Sequence, residues 1–329
     1  MKTILLSRRD IEKLLTMKDC MAAVEKAFAD LARGGAIMPQ RTPIPVPESD
    51  GIALFMPAYI KGMGALGAKV VTVYKNNMSK HKLPVVLGTI ILLDDATGFP
   101  VAVMDGGFIT AMRTGAVSGV ATKYMARKDV KVGMIFGTGV QAYTQVLAMC
   151  EARKFKKILA YSIDPEERKT DFKKRVEAAT KVQVEIAASP EEAVRQADVV
   201  TLATSAKDPI VDGDWFKPGT HINAVGSHAP GMRELDEKTV IRSKIVCDLT
   251  SACQAEAGDF MIPSNEGKWK WNSVRGNLGE VVLNQIKGRE NDEEITLFKS
   301  VGLAIQDMST ARAVYEKATK EKVGMEFEF

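Results

Sequence analysis

Histidine and cysteine are scarce in this 329-residue chain, at three and four residues. Cys20, Cys150, Cys247 and Cys253 form no Cys-x-x-Cys pair, and with so few histidines no zinc-site spacing appears, so no metal is expected. Free, mostly buried thiols in a reducing cytosol fit this usage. An excess of one charge is also missing. Lys and Arg number 45 against 41 Asp and Glu, a net charge of +4 spread along the chain. That is too weak to argue for nucleic acid or membrane binding. The basic clusters at 153–157 and 169–175 read as solvated faces. Long apolar runs are absent too. The opening "MKTILLSRRD" holds only "ILL", too short for a signal-peptide core, and no run approaches the length of a membrane span. A cytoplasmic protein is expected. There is no internal repeat and no low-complexity segment. What is present, 46% hydrophobic and 26% charged residues, suits a globular protein long enough for two domains.

The chain opens helical. "MKDCMAAVEKAFADLARGG" puts Met21, Val24, Phe28 and Leu31 on one face, and Gly34-Gly35 stops it. Residues 38–57, with five prolines, read as extended edges and turns. "LGAKVVTVY", "VVLGTIILL" and "PVAVMD" are strand-like, and a helix is expected over about 109–125. From Val132 short strands and helices alternate: "VGMIF", a helix near 140–152, "KILAY", a helix near 165–179, then "VQVEI". Ser189 as N-cap, Pro190 at N1 and Glu192 at N3 make a capping box. "ADVVTLAT", "HINAVG" and "KIVCDL" are further strands, and "LAIQDMSTARAVYEKATKEK" closes the chain as a long helix. The fold class is therefore α/β: a doubly wound parallel sheet of Rossmann type plus a strand-rich α+β region.

Gly137-Thr138-Gly139-Val140-Gln141-Ala142 is Gly-x-Gly-x-x-Ala between an apolar strand and a helix. Gly137 allows the tight turn, Gly139 lets a pyrophosphate approach the backbone, and Ala142 lets helix pack close on strand. The helix N-terminus offers unbonded N–H groups to phosphates. A dinucleotide is expected here, with Gly137, Gly139, Val140 and Gln141 as contacts. The second strand ends at Ser162 rather than at an acid, and Asp164 follows two residues later. Ser162 has no charge to repel a 2′-phosphate, and Arg168 or Lys169 can reach one. The expectation leans to NADP over NAD, with Asp164 in the ribose-binding role as the alternative. Thr204 and Val225, in the later strands, join the expected cofactor set.

Taken together, the chain resembles the ornithine cyclodeaminase/mu-crystallin family, which includes archaeal alanine dehydrogenase and ketimine reductases. The resemblance rests on Arg41 after "MP", "MPAY" at 56–59, Lys69 in "GAKVVTVY", "FPVAVMDGGFITAMRTGAVSGVATKYMAR", "GTGVQAY", "PGTHINAVGSHAPGMRELD", "LGEV" and "SVGLAIQD". It implies a discontinuous substrate-binding and dimerisation domain, 1–118 plus 302–329, around a dinucleotide-binding domain, 119–301. It also implies a homodimer formed through the N-terminal sheet. Arg41, Lys69 and Arg113 match the family's three cations, a clamp for a substrate carboxylate. Lys69 lies mid-strand in an apolar run, where burial needs an anionic partner such as that carboxylate; it can also polarise a C=N or C=O bond. Arg113-Thr114 falls near the expected helix start, where Thr114 can hold a cofactor phosphate.

Two positions depart from the cyclodeaminases, where carboxylates contact the substrate's distal amine. Leu54 stands at one and His228 at the other. A buried ammonium facing them would be unpaired, which disfavours ornithine. His228 is either the proton-transfer residue or a structural histidine beside a Gly-Ser turn. His221 reads as structural and His81 as solvent-exposed. The expected activity is nicotinamide-dependent redox between a small α-amino acid and its imino or keto acid, as an alanine dehydrogenase or a cyclic ketimine reductase. The alternatives are a cyclodeaminase and a non-catalytic NADP(H)-binding protein.

Overall fold

The computed structural model describes residues 2–328. The chain begins with β1 (Thr3–Leu6), α1 (Arg8–Leu14), α2 (Met17–Ala32), β2 (Ala36–Ile37), β3 (Thr42–Val46), β4 (Gly51–Ile60), β5 (Ala65–Tyr74), β6 (Val86–Leu93), β7 (Pro100–Asp105) and α3 (Gly106–Met125). The middle runs through β8 (Val132–Phe136), α4 (Val140–Ala152), β9 (Lys157–Tyr161), α5 (Glu166–Thr180), β10 (Gln183–Ile186), α6 (Pro190–Gln196), β11 (Val199–Leu202) and β12 (His221–Ala224). Then come α7 (Glu237–Arg242), β13 (Lys244–Cys247), α8 (Thr250–Glu256), α9 (Gly258–Asn265), β14 (Val274–Asn277), α10 (Leu278–Val282), β15 (Thr296–Lys299), α11 (Ala304–Glu321) and β16 (Met325–Phe327). Backbone contacts divide the chain into residues 1–113 with 303–329, and residues 114–302. Among the described residues no helix is long and apolar enough to cross a membrane, and no group of three or more His, Cys, Asp or Glu is placed to hold a metal.

The first unit is built on a mixed sheet ordered β16-β1-β7-β6-β5-β4-β2, with β3 also paired to β4. All its pairings are antiparallel except β1 with β7. Strand period puts Ala65, Gly67, Lys69 and Val71 of β5 on one buried face. Helix α11 packs across β4 and β5 and against α2. Gly67 is required chiefly by β6, since a β-carbon there would lie 2.1 Å from the Ile91 carbonyl oxygen, and it also leaves room for α11, whose Met308 Sδ would be 3.1 Å away. Helix α2 is capped by Thr16, whose side chain accepts the Asp19 N–H at 3.2 Å, and buries Met21, Val24 and Phe28. Two expectations from residues 38–57 and 109–125 are sharpened. The proline-rich stretch still forms β3, which can sit at the sheet's margin because Pro43 and Pro45 need no ladder donor. Helix α3 starts at Gly106, earlier than expected, because Asp105 accepts the Phe108 N–H at 2.8 Å and caps it despite two glycines.

The second unit holds an all-parallel sheet ordered β10-β9-β8-β11-β12-β15-β13-β14. Parallel sheets need both faces covered, and two apolar clusters do this. One joins Met134, Phe136, Val200, Leu202, Ile222 and Ile245; the other joins Ile135, Ile158 and Val199 to Val146, Met149, Phe172 and Val176 of α4 and α5. Strand order reverses between β8 and β11, the switch point at which open α/β sheets bind ligands. Ser189 accepts the Glu192 N–H at 3.3 Å, as the N-terminus of α6 requires.

Candidate active site

In the first unit, the inner face of β5 is apolar but for Lys69. Its side chain is fully buried, and its Nζ lies 2.7 Å from Asp307 Oδ2 and 3.3 Å from Thr110 Oγ1. Asp307 is wholly buried on α11, and its other oxygen accepts Arg113 Nε at 3.0 Å. Arg113 Nη1 donates to Gln306 Oε1 at 2.5 Å. Burial, above all, and then the Arg113 and Arg41 charges push the Lys69 ammonium down to about 7, while Asp307 opposes them. The partner that Lys69 requires is thus supplied by the chain itself. Two buried cations share one buried carboxylate, with Arg41 close enough to be felt. The surplus positive charge suits an anion with a single carboxylate.

Antiparallel register places Met56 opposite Lys69 and Leu54 opposite Val71, so Leu54 shares the sheet face of Lys69. Leu54 is an apolar, half-buried neighbour there, not an acid. Arg113 lies mid-helix in α3, and Thr114 with it, so no helix N-terminus exists at Thr114. The expected phosphate contact at Thr114 loses that support; its carbonyl accepts Gln145 Nε2 at 2.9 Å.

In the second unit, Gly137 closes the turn with φ of +100°, a conformation disfavoured for side chains. Gly139 is the N-cap of α4 and brings no side-chain cap, leaving the first N–H groups of the helix for a ligand. The Gln141 Oε1 is buried without a hydrogen-bond partner among the described residues. Val140 and Ile163 are exposed apolar side chains beside the turn and the end of β9, 61% and 95% accessible. The residues of this turn fit a dinucleotide: the open N–H groups at the start of α4 would hold its phosphates, and Val140 and Ile163 would offer apolar surface to its rings. A β-carbon at Gly139 would approach nothing closer than Arg168 Nη2, at 3.6 Å. Gly139→Val should therefore keep the fold while weakening nicotinamide-cofactor affinity at least about tenfold, or ~1.4 kcal/mol, read by fluorescence titration. An unchanged titration would remove the turn from the cofactor site.

Thr138 Oγ1 donates to Asp164 Oδ2 at 2.5 Å, Ser162 Oγ donates to the same oxygen at 2.8 Å, and Arg168 Nη1 reaches Asp164 Oδ1 at 3.2 Å. Partial burial works against the Asp164 carboxylate, but these hydrogen bonds and Arg168 outweigh it and hold it below its ordinary range.

The ends of β11 and β12 are joined by a residue that the sequence reasoning passed over. Glu234, fully buried, accepts Thr204 N–H at 2.7 Å, Thr204 Oγ1 at 2.8 Å and Gly226 N–H at 2.8 Å. The Thr204 hydroxyl also accepts the Ala206 N–H at 3.2 Å, so it is committed to holding its own loop. Val225 follows β12 and donates its N–H to the Leu202 carbonyl. Beneath them Lys299 Nζ lies 2.6 Å from Asp259 Oδ2, both side chains fully buried. Burial, followed by repulsion from Asp259, pushes Glu234 up to about 7. His228 is exposed, and its Nδ1 lies 2.8 Å from the Gly226 carbonyl oxygen, which fixes the Nδ1–H tautomer of the neutral ring. His221 is buried between Thr296 Oγ1 and Asn223 Oδ1 and pushed down to about 3 by burial, so it stays neutral. His81 is exposed.

Comparison with known proteins gives these features a context. The sequence model of the ornithine cyclodeaminase/mu-crystallin family matches residues 1–322. The chain is 36% identical over 327 residues to a Δ1-pyrroline-2-carboxylate reductase of Bacillus cereus, covering 99% of this chain and 100% of that one. The solved Δ1-pyrroline-2-carboxylate reductase of Thermococcus litoralis, in complex with NADH and L-proline, superposes with a TM-score of 0.95 at 47% identity, covering 98% and 99% of the two chains. An archaeal alanine dehydrogenase dimer with bound NAD superposes at 0.93 and 37% identity over 100% of both.

Proposed function

The chain belongs to the ornithine cyclodeaminase/mu-crystallin family, and from that premise we propose its substrate and the roles of its residues. It is a nicotinamide-dependent oxidoreductase that interconverts an α-amino acid and its imino or keto acid. The substrate is a cyclic ketimine of the pyrroline-2-carboxylate kind, reduced to the cyclic amino acid. The observation that carries this is the buried Lys69–Asp307–Arg113 set beside an apolar Leu54. Arg113 and Arg41 hold the carboxylate. Lys69, poised near neutrality, steadies the developing charge or hands a proton to the imine nitrogen. Leu54 lies against the closed ring, where a free ammonium would find no anion. The bound nicotinamide supplies the hydride. Reductive amination of pyruvate to alanine is the second reading, favoured by the likeness to the archaeal alanine dehydrogenase. With no acid at positions 54 and 228, ornithine cyclisation is not favoured, and the buried cation set speaks against a purely structural cofactor-binding protein. The test follows NADH and NADPH oxidation with pyrroline-2-carboxylate, and with pyruvate plus ammonia. Turnover of the cyclic imine supports the assignment. No turnover of either, with cofactor bound, removes it.

The uncharged Ser162 points to NADP(H), but Asp164 reaches the Thr138 hydroxyl inside the glycine turn and can take the ribose role. We therefore favour NAD(H), with Arg168 the group that would meet a 2′-phosphate. Asp164→Ala should raise the kcat/KM ratio of NADPH to NADH at least about tenfold, ~1.4 kcal/mol. A wild type that already prefers NADPH would reverse this choice. His228 is proposed as a second proton-transfer group. His228→Ala should lower turnover roughly 10²-fold and remove a limb of the pH profile near neutrality; an unaltered profile makes it structural. Dimerisation through the first unit's sheet is proposed from its outward apolar side chains Ile44, Phe55, Leu87 and Ile91.

A further inference from the structure

We propose that Asp307 is a positioning residue for this reaction: one oxygen holds the Lys69 ammonium, the other holds the Arg113 guanidinium, and so a single carboxylate behind the clamp sets the charge of Lys69 and the aim of Arg113. The inference rests on the oxidoreductase reading above and deepens it.

The placement is costly and therefore informative. Helix α11 packs the first unit's core with Ile305, Met308, Ala311 and Val314, yet Gln306, Asp307, Ser309 and Thr310 in the same stretch are also fully buried. A buried ion pair adds little stability over an apolar replacement, so stability alone is a weak reason for a carboxylate here. Its two oxygens are divided between a strand and a helix: Oδ2 lies 2.7 Å from Lys69 on β5 and Oδ1 accepts Arg113 Nε of α3 at 3.0 Å. Gln306, its neighbour on α11, accepts from Arg113 Nη1 and completes the restraint of that guanidinium. With Nε and Nη1 engaged on the α11 side, the guanidinium plane is fixed.

The charged and titratable groups around Lys69 come from every packed element. They are Asp307 of α11, Arg113 of α3, Arg41 ahead of β3, and Cys20 of α2, whose Sγ lies 3.5 Å from Thr310 Oγ1. Burial pushes the Cys20 thiol up to about 12, so it stays neutral. Lys69 is thus the group of this cluster that changes charge near neutrality, and Asp307 is its one anion among these groups. An ammonium at Lys69 pairs with a carboxylate and presents N–H donors with a proton to give; the neutral amine does the first poorly and lacks the extra proton. Removing the anion favours the amine and moves the titration to lower pH.

The test is the titration of Lys69 itself, followed by NMR of protein labelled with 13Cε-lysine, the resonance being assigned by its loss in Lys69→Met. Asp307→Asn, close in shape, should lower the Lys69 midpoint by roughly one to three pH units. The basic limb of the pH–turnover profile should move with it, and the KM for the imino acid should rise. Asp307→Glu keeps the charge but displaces it. It should leave the midpoint within about half a unit of wild type while lowering kcat, a split that a merely structural role would not produce. If Asp307→Asn does not fold, that split in Asp307→Glu carries the test, and an unchanged kcat there would overturn the proposal. An unmoved midpoint in folded Asp307→Asn overturns it as well. A wild type that titrates normally at Lys69 yet turns over no imino or keto acid overturns the assigned reaction instead.

Discussion

Lys69→Met should lower turnover by roughly 10²- to 10³-fold, the usual loss when one preorganised charge is removed from a reacting centre. Cofactor affinity should be unchanged, because the glycine turn and Lys69 belong to different units of the chain. Methionine fills most of the lysine's volume, so the buried face of β5 stays packed. Asp307 keeps Arg113 as its partner at 3.0 Å, which avoids stranding a bare carboxylate. The loss is then one of charge at the substrate rather than one of folding. Arg113→Met should behave alike but with a larger rise in KM, since the bidentate fork is lost while Lys69 still neutralises Asp307. Steady-state kinetics alongside a cofactor titration checks both. Catalytic efficiency within about tenfold of wild type in both variants would assign the two cations to structure.

Lys299→Met should destabilise the second unit by about 3–5 kcal/mol, lowering its melting temperature by roughly 10 °C. Lys299 is fully buried against Asp259 at 2.6 Å. Burial opposes its charge, but Asp259 and Glu234 more than compensate and raise its pKa. Without it, two buried carboxylates face each other with no counter-charge from that side chain. The sign of the pH dependence follows from Glu234. Its folded value is raised to about 7 against an ordinary value of 4.5. A carboxyl raised in the folded state contributes stability below its unfolded value and loses it as pH rises toward the folded one. The penalty of Lys299→Met should therefore be larger at pH 8 than at pH 5, where Glu234 is protonated. Thermal unfolding at the two pH values checks this. A loss under about 1 kcal/mol at pH 8 would mean that the cluster has little net weight. Because Glu234 ties the Thr204 loop to Gly226, the variant should also loosen the ends of β11 and β12.

What could be seen in the sequence follows the range of the interactions. The turn at Gly137 and Gly139 is local: strand, glycines and helix lie in one stretch, so its conformation is written in neighbouring residues. Lys69 was visible because a single charge interrupts an apolar β-run. Its anion was not, because Asp307 is brought in by the closing helix; the Arg113–Asp307 bond spans 194 positions. The signal that existed was a carboxylate on the apolar side of a helix, in "SVGLAIQD". Glu234, Asp259 and Lys299 escaped for the same reason, meeting only when the loop between β12 and α7 is assembled with α9 and β15. Residues 250–300 fold into helices of five to eight residues and strands of four, too short for a hydrophobic period to emerge. Helix α3 starts three residues before the expected 109 because its first turn, Gly106-Gly107-Phe108, has little helical propensity of its own and is held by the Asp105 cap.

The central claim, reduction at the α-carbon of an imino acid held by Lys69 and Arg113, is tested most directly by tracing the hydrogen. The protein would be given NADH deuterated at the transferable C4 position together with pyrroline-2-carboxylate, and the product read by mass spectrometry and NMR. The account predicts proline carrying one deuterium at Cα, with Lys69→Met yielding little of it. Unlabelled proline, or no product from the cyclic imine while ornithine is efficiently converted to proline, would contradict it.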